Sequence, residues 1–343
     1  MRLARKIVPR TIACAVLCTA AAAQRAGAQG VQLRVVDSTT MTALGGALVA
    51  LLDRGGAAVA EGLTSENGFR TFFVPPGPYS VRVRRVGYRP YVSAASEMSH
   101  SRTLTIAVQS DPVVLSTIVI SARTRCSSLR STNSQALGTV WGEATKAIEA
   151  SKLTLSDLRG VGRAWKYTRT VGVLGTPPRG DTAHFTVTNL RPFTALDPDS
   201  LANAGYVIGD AQTGWTYFAP DETVLLSSSF ARTHCFRLVR DRYAPDLIGV
   251  AFEPVRGRTA ADIAGTAWLD QQTSELRRIV FRFVNAGLIS RHGGGGETNF
   301  RRLPSGAWII SSWHLRAPIL IMRRGVIGPE GSVENGGGLH PPG

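Results

Sequence analysis

Short apolar segments alternate with turn-forming sequences along residues 31–110. Within most segments an apolar residue occupies every second position, which is the period of a β-strand with one buried face. Sequences rich in glycine, proline, asparagine and aspartate separate the segments, and these residue types favour turns. Strands are predicted at residues 31–35, 46–52, 69–74, 79–83 and 104–108. The pattern therefore indicates an all-β module.

Several of these residues also carry a resemblance to a known family. They are Gly46-Ala47, the loop from Thr64 to Phe69, Pro76-Gly77-Pro78-Tyr79 and Val86-Gly87-Tyr88. Through them, residues 29–112 resemble the carboxypeptidase regulatory-like (prealbumin-like) domain. The resemblance implies a β-sandwich that serves as an accessory module beside a zinc peptidase domain or in front of an outer-membrane receptor. It implies no catalytic residue.

The pattern changes at residue 136. Apolar residues then recur every three or four positions from Leu137 to Ile148, which predicts an amphipathic helix over 136–150. Alternating segments return after it. Strands are predicted at residues 164–173, 183–188, 216–219, 235–239, 247–252, 263–269, 276–284, 299–303 and 307–315. The fold class is thus mainly β, with a second antiparallel domain over 136–323 and one covering helix. A half-barrel similar to that of lipoprotein-carrier-like periplasmic proteins fits this pattern.

Two other segments have the composition of connecting or terminal chain. Residues 113–135, with a polar stretch from Ser121 to Gln135, predict a linker, and residues 324–343, rich in glycine and proline, predict a flexible tail. The sequences Trp141-Gly142-Glu143-Ala144, His234-Cys235-Phe236, Phe252-Glu253-Pro254 and Trp268-Leu269-Asp270 make the second part similar to exported proteins with the same two-part layout. That resemblance brings no assigned activity.

The N-terminus has the organisation of a secretory signal peptide. Basic residues through Arg10 precede an apolar run over 11–23 and the small residues Ala26-Gly27-Ala28. We therefore expect residues 1–28 to be removed and the protein to be exported, to the periplasm or the periphery of the outer membrane. The run is too short to span a bilayer, so we expect no transmembrane segment in the mature chain.

Charge and cysteine content follow from this expectation. Without residues 1–28 the chain keeps 34 of its 39 basic residues against 24 acidic ones, and nucleic acid is not an expected partner of an exported protein. Only Cys126 and Cys235 remain, and a pair in an oxidising compartment predicts a disulfide. Two buried free thiols are the alternative. The resemblance to the two-part exported proteins favours the Cys126–Cys235 bridge.

No sequence motif indicates a known catalytic mechanism. A zinc peptidase needs converging histidines, and no His-Glu-x-x-His sequence occurs. The P-loop and the Gly-x-Ser-x-Gly motif are also missing. Asp210 with Asp221 or Glu222 would form a hydrolase pair only if the fold brought them together. His234 and Cys235 are neighbours on a predicted strand and should point to opposite faces. No metal or cofactor is predicted.

Aromatic residues on the late strands are the remaining candidates for ligand binding. On a concave sheet they could line a hydrophobic site, and the alternative is that they form the core. They are Trp268, Phe281, Phe283, Trp308 and Trp313.

We therefore expect a non-enzymatic envelope protein that binds a hydrophobic ligand such as a lipid, a polysaccharide or other glycan, or a protein partner. Two alternatives remain. Residues 113–122 are similar to the segment that joins such a sandwich to the plug of TonB-dependent receptors, which suggests an accessory of a receptor or a secretion system. The second alternative is a hydrolase whose site residues are far apart in the sequence.

Overall fold

The computed structural model describes residues 29–98, 103–111, 135–157, 163–172, 179–186 and 196–340. The predicted signal peptide, the similarity at 113–122 and Cys126 therefore lie outside the described residues. In the first part, two sheets with the strand orders β4-β1-β8 and β3-β2-β5-β6 pack as a β-sandwich, and β7 pairs with β5. The strands are β1 (Gln29–Asp37), β2 (Leu48–Leu52), β3 (Ala58–Leu63), β4 (Phe69–Val74), β5 (Pro78–Arg84), β6 (Tyr91–Val92), β7 (Ser96–Glu97) and β8 (Leu104–Val108).

The alternating residues of these strands form the sandwich core, as predicted. Leu33, Leu51 and Val81 come from three different strands, and all three are fully buried in one hydrophobic cluster. Because successive side chains of a strand point to opposite faces, the intervening Arg34 and Arg82 remain partly exposed. The predicted all-β module is confirmed.

The second part consists of one long helix on a large antiparallel sheet, accompanied by short helices. Nine strands follow the order β10-β9-β19-β18-β17-β16-β15-β14-β13, and β11 and β12 form a separate hairpin. The elements are α1 (Gln135–Asp157), β9 (Arg163–Gly172), β10 (Arg179–Thr186), α2 (Pro198–Ala204), β11 (Val207–Asp210), β12 (Gly214–Tyr217), α3 (Glu222–Leu225), α4 (Ser228–Thr233), β13 (His234–Arg240), β14 (Leu247–Pro254), β15 (Asp262–Asp270), β16 (Leu276–Val284), α5 (Leu288–Arg291), β17 (Gly295–Arg302), β18 (Trp308–Arg323) and β19 (Val326–Leu339).

Helix α1 covers one face of this sheet. The apolar spacing that predicted it places Val140, Ala144 and Ile148 on one side of the helix, and all three are buried. They belong to the same cluster as Ile279 and Phe283 of β16. We call the covered side of the nine-stranded sheet the inner face and the opposite side the outer face. No helix among the described residues is both long and apolar enough to cross a membrane.

The predicted flexible tail is wrong. Residues 326–339 form β19, which pairs with β18 along its length and with β9 from Gly331 onward. Glycine lowers strand propensity, but here it makes room for aromatic rings: a β-carbon at Gly336 would overlap the ring of Tyr167. Pro329 precedes the part of β19 that pairs with β9, so no hydrogen bond to β9 needs its missing N–H. The β-rich domain therefore extends past residue 323.

The sandwich is docked on α1 by a buried ion pair. Lys146 Nζ lies 2.7 Å from Glu143 Oε1, and neither side chain is more than 8% exposed. The Gly87 N–H donates to Glu143 Oε2 at 3.1 Å, and Lys146 donates to the Tyr88 carbonyl at 3.0 Å. Both charged groups are thus satisfied by the backbone of one sandwich turn. Val86, next to that turn, joins the apolar cluster beneath α1.

A second contact between the two parts is made by backbone alone. Gly45 and Gly46 of the sandwich lie against the turn Ser305-Gly306 between β17 and β18, and a β-carbon at Gly46 would overlap the carbonyl group of Gly306. Gly46 also has a φ of +68°, which side chains disfavour. Glycine is therefore required here both for the close approach and for the turn.

The two glycine requirements can be separated by a matched pair of substitutions. Gly46→Ala and Gly56→Ala both place alanine at a positive φ, +68° and +82° respectively, but Gly56 has open space around its α-carbon. We expect Gly56→Ala to cost about 1–2 kcal/mol. Gly46→Ala should cost about 1–3 kcal/mol more because it overlaps backbone atoms. Urea unfolding measures the difference, and equal losses would contradict the close contact.

Candidate binding surface

The five predicted ligand-lining aromatics do not lie together. Phe281, Phe283, Trp308 and Trp313 are in the inner core, and none is more than 4% exposed. Trp268 is half-buried and lies on the outer face, because the side chain before it, Ala267, points inward. Four of the five aromatic residues therefore belong to the core, which was the alternative to lining a ligand site.

The inner face offers little room for a ligand. A cleft remains between α1 and strands β16 to β18, lined by residues that include Ile148, Asp221 and Phe281. Its free volume is about 20 Å³, which is space for roughly one water molecule. An acyl chain would have to displace α1 or the aromatic side chains beneath it.

The outer face carries a much larger open groove around Trp268. The indole lies against the neighbouring strand, since a β-carbon at Gly249 would come within 2.8 Å of its ring carbons. The groove has a volume of about 490 Å³. Small residues contribute much of its lining, namely Ala251, Ala264, Gly265 and Thr266. Because Gly249 has no side chain, the Trp268 indole can lie against β14. We call an aromatic side chain packed over glycine in this way a platform.

Charged side chains of both signs surround this platform. Arg237, Arg282, Glu253 and Glu297 line the groove. Within the part of the chain that the structure describes, none of the four has a side-chain hydrogen bond or ion pair, although a fifth residue, Arg278, pairs with an aspartate at 3.3 Å. The groove therefore combines hydrogen-bond donors and acceptors that have no partner among the described residues with an aromatic surface.

A second aromatic platform lies on the same face. Residues directly opposite one another in an antiparallel sheet point to the same side. The strand register gives such a row, which runs through Thr266, Val280, Glu297, His314, Gly336 and Tyr167. Trp165 is two residues from Tyr167 on β9, so both share the outer face with Trp268. Their rings are nearly parallel, with 11° between planes and centroids 6.0 Å apart.

Both rings of this second platform lie over glycines of β19. Tyr167 occupies the space above Gly336, and a β-carbon at Gly338 would come within 3.1 Å of the Trp165 indole nitrogen. Strands lie about 4.8 Å apart, so the five intervals from β15 to β9 place the two platforms about 24 Å apart along the sheet. Sequence reasoning missed Trp165 and Tyr167. Their i, i+2 spacing on a predicted strand and the run Gly336 to Gly338 were the available signals.

A buried charged cluster was also missed. His234 Nε2 lies 3.1 Å from Asp262 Oδ1, and both side chains are fully buried. Arg258 contacts the other carboxylate oxygen of Asp262. Burial opposes ionisation of Asp262, but hydrogen bonds and charge attraction from His234 and Arg258 outweigh it and hold its pKa below the ordinary value of 3.8. The cluster connects the start of β13 to the start of β15.

The residues considered for catalysis have local structural contacts. Asp210 accepts hydrogen bonds from two backbone N–H groups of its own turn, and Asp221 caps the N-terminus of α3. His234 is buried on the inner side, as expected for a neighbour of Cys235 on a strand. The described residues contain no group of three or more histidine, cysteine, aspartate or glutamate side chains that could hold a metal ion. The Cys126–Cys235 disulfide stays a prediction.

Comparisons with known proteins identify the first part. Residues 30–111 match the family model of the carboxypeptidase regulatory-like domain, so the N-terminal sandwich is a domain of that family. No curated protein matches the sequence.

Two solved structures are similar only at a low level. One is fervidolysin from Fervidobacterium pennivorans, a keratinolytic enzyme related to subtilisin, with 10% identity, a TM-score of 0.21, and coverage of 77% of this chain and 30% of that one. The other is a protein of unknown function from Bacteroides fragilis NCTC 9343, whose description proposes membrane association. It has 12% identity, a TM-score of 0.19, and coverage of 92% and 99% respectively. At these scores neither carries a functional argument.

The buried cluster yields a prediction on acid stability. Asp262 has a depressed pKa in the folded state, so its contribution is complete above the ordinary value of 3.8 and is lost as the pH falls through the folded-state pKa. Asp262→Asn should lower stability at pH 7 by about 3–5 kcal/mol, because Arg258 and His234 lose a buried partner. The difference from wild type should shrink below pH 3.8.

Urea unfolding between pH 2 and 7 measures this difference. Glu330→Gln is the control, since Glu330 belongs to an exposed ion pair and its loss should change stability little. A constant difference across the whole pH range would show that the carboxylate of Asp262 is not the group responsible.

Proposed function

We propose that this is a non-enzymatic, exported envelope protein that binds a polysaccharide along the outer face of its β-rich domain. The regulatory-like sandwich acts as an accessory module that braces this domain through α1. The proposal rests on the pair of aromatic platforms on one sheet face, each packed over glycine. Beside Trp268 lie charged groups of both signs that have no partner among the described residues.

The chemistry of this face favours a polyhydroxylated ligand. A sugar offers hydroxyl groups that donate and accept hydrogen bonds, which suits unpartnered arginine and glutamate side chains together. Its apolar ring faces suit flat aromatic surfaces that are half-exposed. A purely hydrophobic ligand would leave Arg237, Arg282 and Glu253 without partners, and burying such groups is unfavourable. The spacing of the platforms suits an extended chain rather than a single sugar.

Export and lack of enzymatic activity are parts of the same proposal. The signal sequence supports export. The absence of sequence motifs for a zinc peptidase, a P-loop or a nucleophilic serine supports a binding role. The local contacts of Asp210 and Asp221 agree with it, because each carboxylate serves its own turn or helix end.

The proposal is tested with an array of bacterial polysaccharides and with isolated peptidoglycan sacculi, probed with the labelled protein. We expect wild type to bind at least one of these. Trp268→Ala should weaken that binding about tenfold, because it removes the stacking surface. Gly249→Ala should act in the same direction by displacing the indole.

Tyr243→Ala is the matched control, since Tyr243 is an exposed aromatic in the loop between β13 and β14 and does not line the groove. Circular dichroism confirms that each variant is folded. Trp165→Ala should weaken binding of the polymer but not of its short oligosaccharides, which cannot reach both platforms. Failure of wild type to bind any polysaccharide, or equal binding by Trp268→Ala, would refute the proposal.

A further inference from the structure

Strands β18 and β19 extend beyond their neighbours as a two-stranded ribbon. Strand β17 pairs with β18 only as far as Arg316, and β9 pairs with β19 only from Gly331. Ala317 to Ile319 pair with Gly331 to Val333, which also pair with β9. Among the described strands, residues 320–323 and 326–329 therefore pair only with each other. At about 3.3 Å per residue they extend roughly 13 Å beyond the neighbouring strands. We call residues 320–329 the ribbon.

The ribbon presents apolar side chains close to its tip. Met322 is 50% exposed and Val326 is 70% exposed. Ile321 and Ile327, the next residues inward, are half-buried. An isolated two-stranded ribbon is at best marginally stable in water, and exposed apolar residues add no stability there. These side chains are therefore positioned for contact with something outside the chain.

The turn at the tip places an arginine in an unfavourable conformation. Arg323 pairs with Val326, so Arg324 and Gly325 form a two-residue turn with φ values of +50° and +79°. Positive φ at both positions is characteristic of the type I′ turn, where asparagine followed by glycine is favoured. Arginine costs energy at the first position. The tip thus carries two adjacent guanidinium groups, of which only Arg323 has an ion-pair partner, Glu330 at 3.0 Å, among the described residues.

We propose that the ribbon is a membrane-contact element that binds a bilayer surface containing anionic lipids. Met322 and Val326 insert at the boundary between headgroups and acyl chains, and Arg323 and Arg324 bind the anionic headgroups. Arginine side chains can extend to headgroups while their stems pack on apolar surface. This contact is separate from the outer face, so it adds an attachment to the proposed polysaccharide binding.

The ribbon could contact either a membrane or a second copy of the chain. The charge at its tip favours the membrane. Two ribbons meeting tip to tip would bring four arginines together, and like charges repel. Without residues 1–28 the chain keeps 34 basic and 24 acidic residues, a formal net charge of +10, which also disfavours self-association. An anionic surface is complementary to the same charges.

The test is sedimentation of the purified mature protein, residues 29–343, with vesicles. One set contains phosphatidylglycerol and phosphatidylethanolamine, and the other contains only phosphatidylcholine. We expect binding to the anionic set that falls as salt is raised. Arg324→Asn should weaken it about fivefold, the effect of one basic residue at an anionic surface. Because asparagine is favoured in this turn, the loss cannot be attributed to misfolding.

The apolar part of the contact has its own variants. Met322→Ser and Val326→Ser should each reduce binding, whereas Val59→Ser, at an exposed position of the sandwich, should not. Trp268→Ala should bind vesicles like wild type, so failure of the polysaccharide proposal would leave this result unaffected. The proposal would be overturned by equal binding to both vesicle sets or by no binding to either. It would also be overturned if wild type self-associated and Val326→Ser abolished that association.

Discussion

Glu143 and Lys146 form an ion pair on α1 that is almost completely removed from solvent. Charges buried in this way are costly unless all their hydrogen-bonding groups find partners. The Gly87 N–H and the Tyr88 carbonyl supply partners from the sandwich. Separating the two parts would break both of these contacts. This constraint holds α1 between the sandwich and the sheet, so the helix fills the inner face, and none of the described helices covers the outer face around Trp268.

The position of α1 determines which face of the sheet has room for a ligand. With α1 in place, the cleft beneath it is close to the size of one water molecule, whereas the groove around Trp268 has a volume of about 490 Å³. The sandwich and its contact with the turn Ser305-Gly306 also lie away from that groove. The sandwich thus contacts α1 and the turn between β17 and β18, and it does not line the groove.

The sequence predicted those elements whose pattern is set by burial. Helix α1 has a regular apolar spacing, and the strands of the sandwich alternate because one side of each faces a core. The alternation of apolar and polar residues did not predict β19. Its glycines make room for aromatic rings on β9, which are distant in sequence. The pattern also could not show that Trp268 and Phe281 lie on opposite faces, because it does not tell which side of each strand faces α1. The interdomain ion pair was hidden for the same reason, as Glu143 and Lys146 look like ordinary surface residues of a helix.

The central claim is that the sandwich is held on α1 by this buried pair. Hydrogen exchange at the Gly87 amide measures it directly, because that proton is donated to Glu143 from a turn that would otherwise face solvent. We expect exchange as slow as that of amides in the central strands, such as Phe281, since opening would require the two parts to separate. Exchange of the Gly87 amide at the rate of an exposed loop, with the strands still protected, would contradict it.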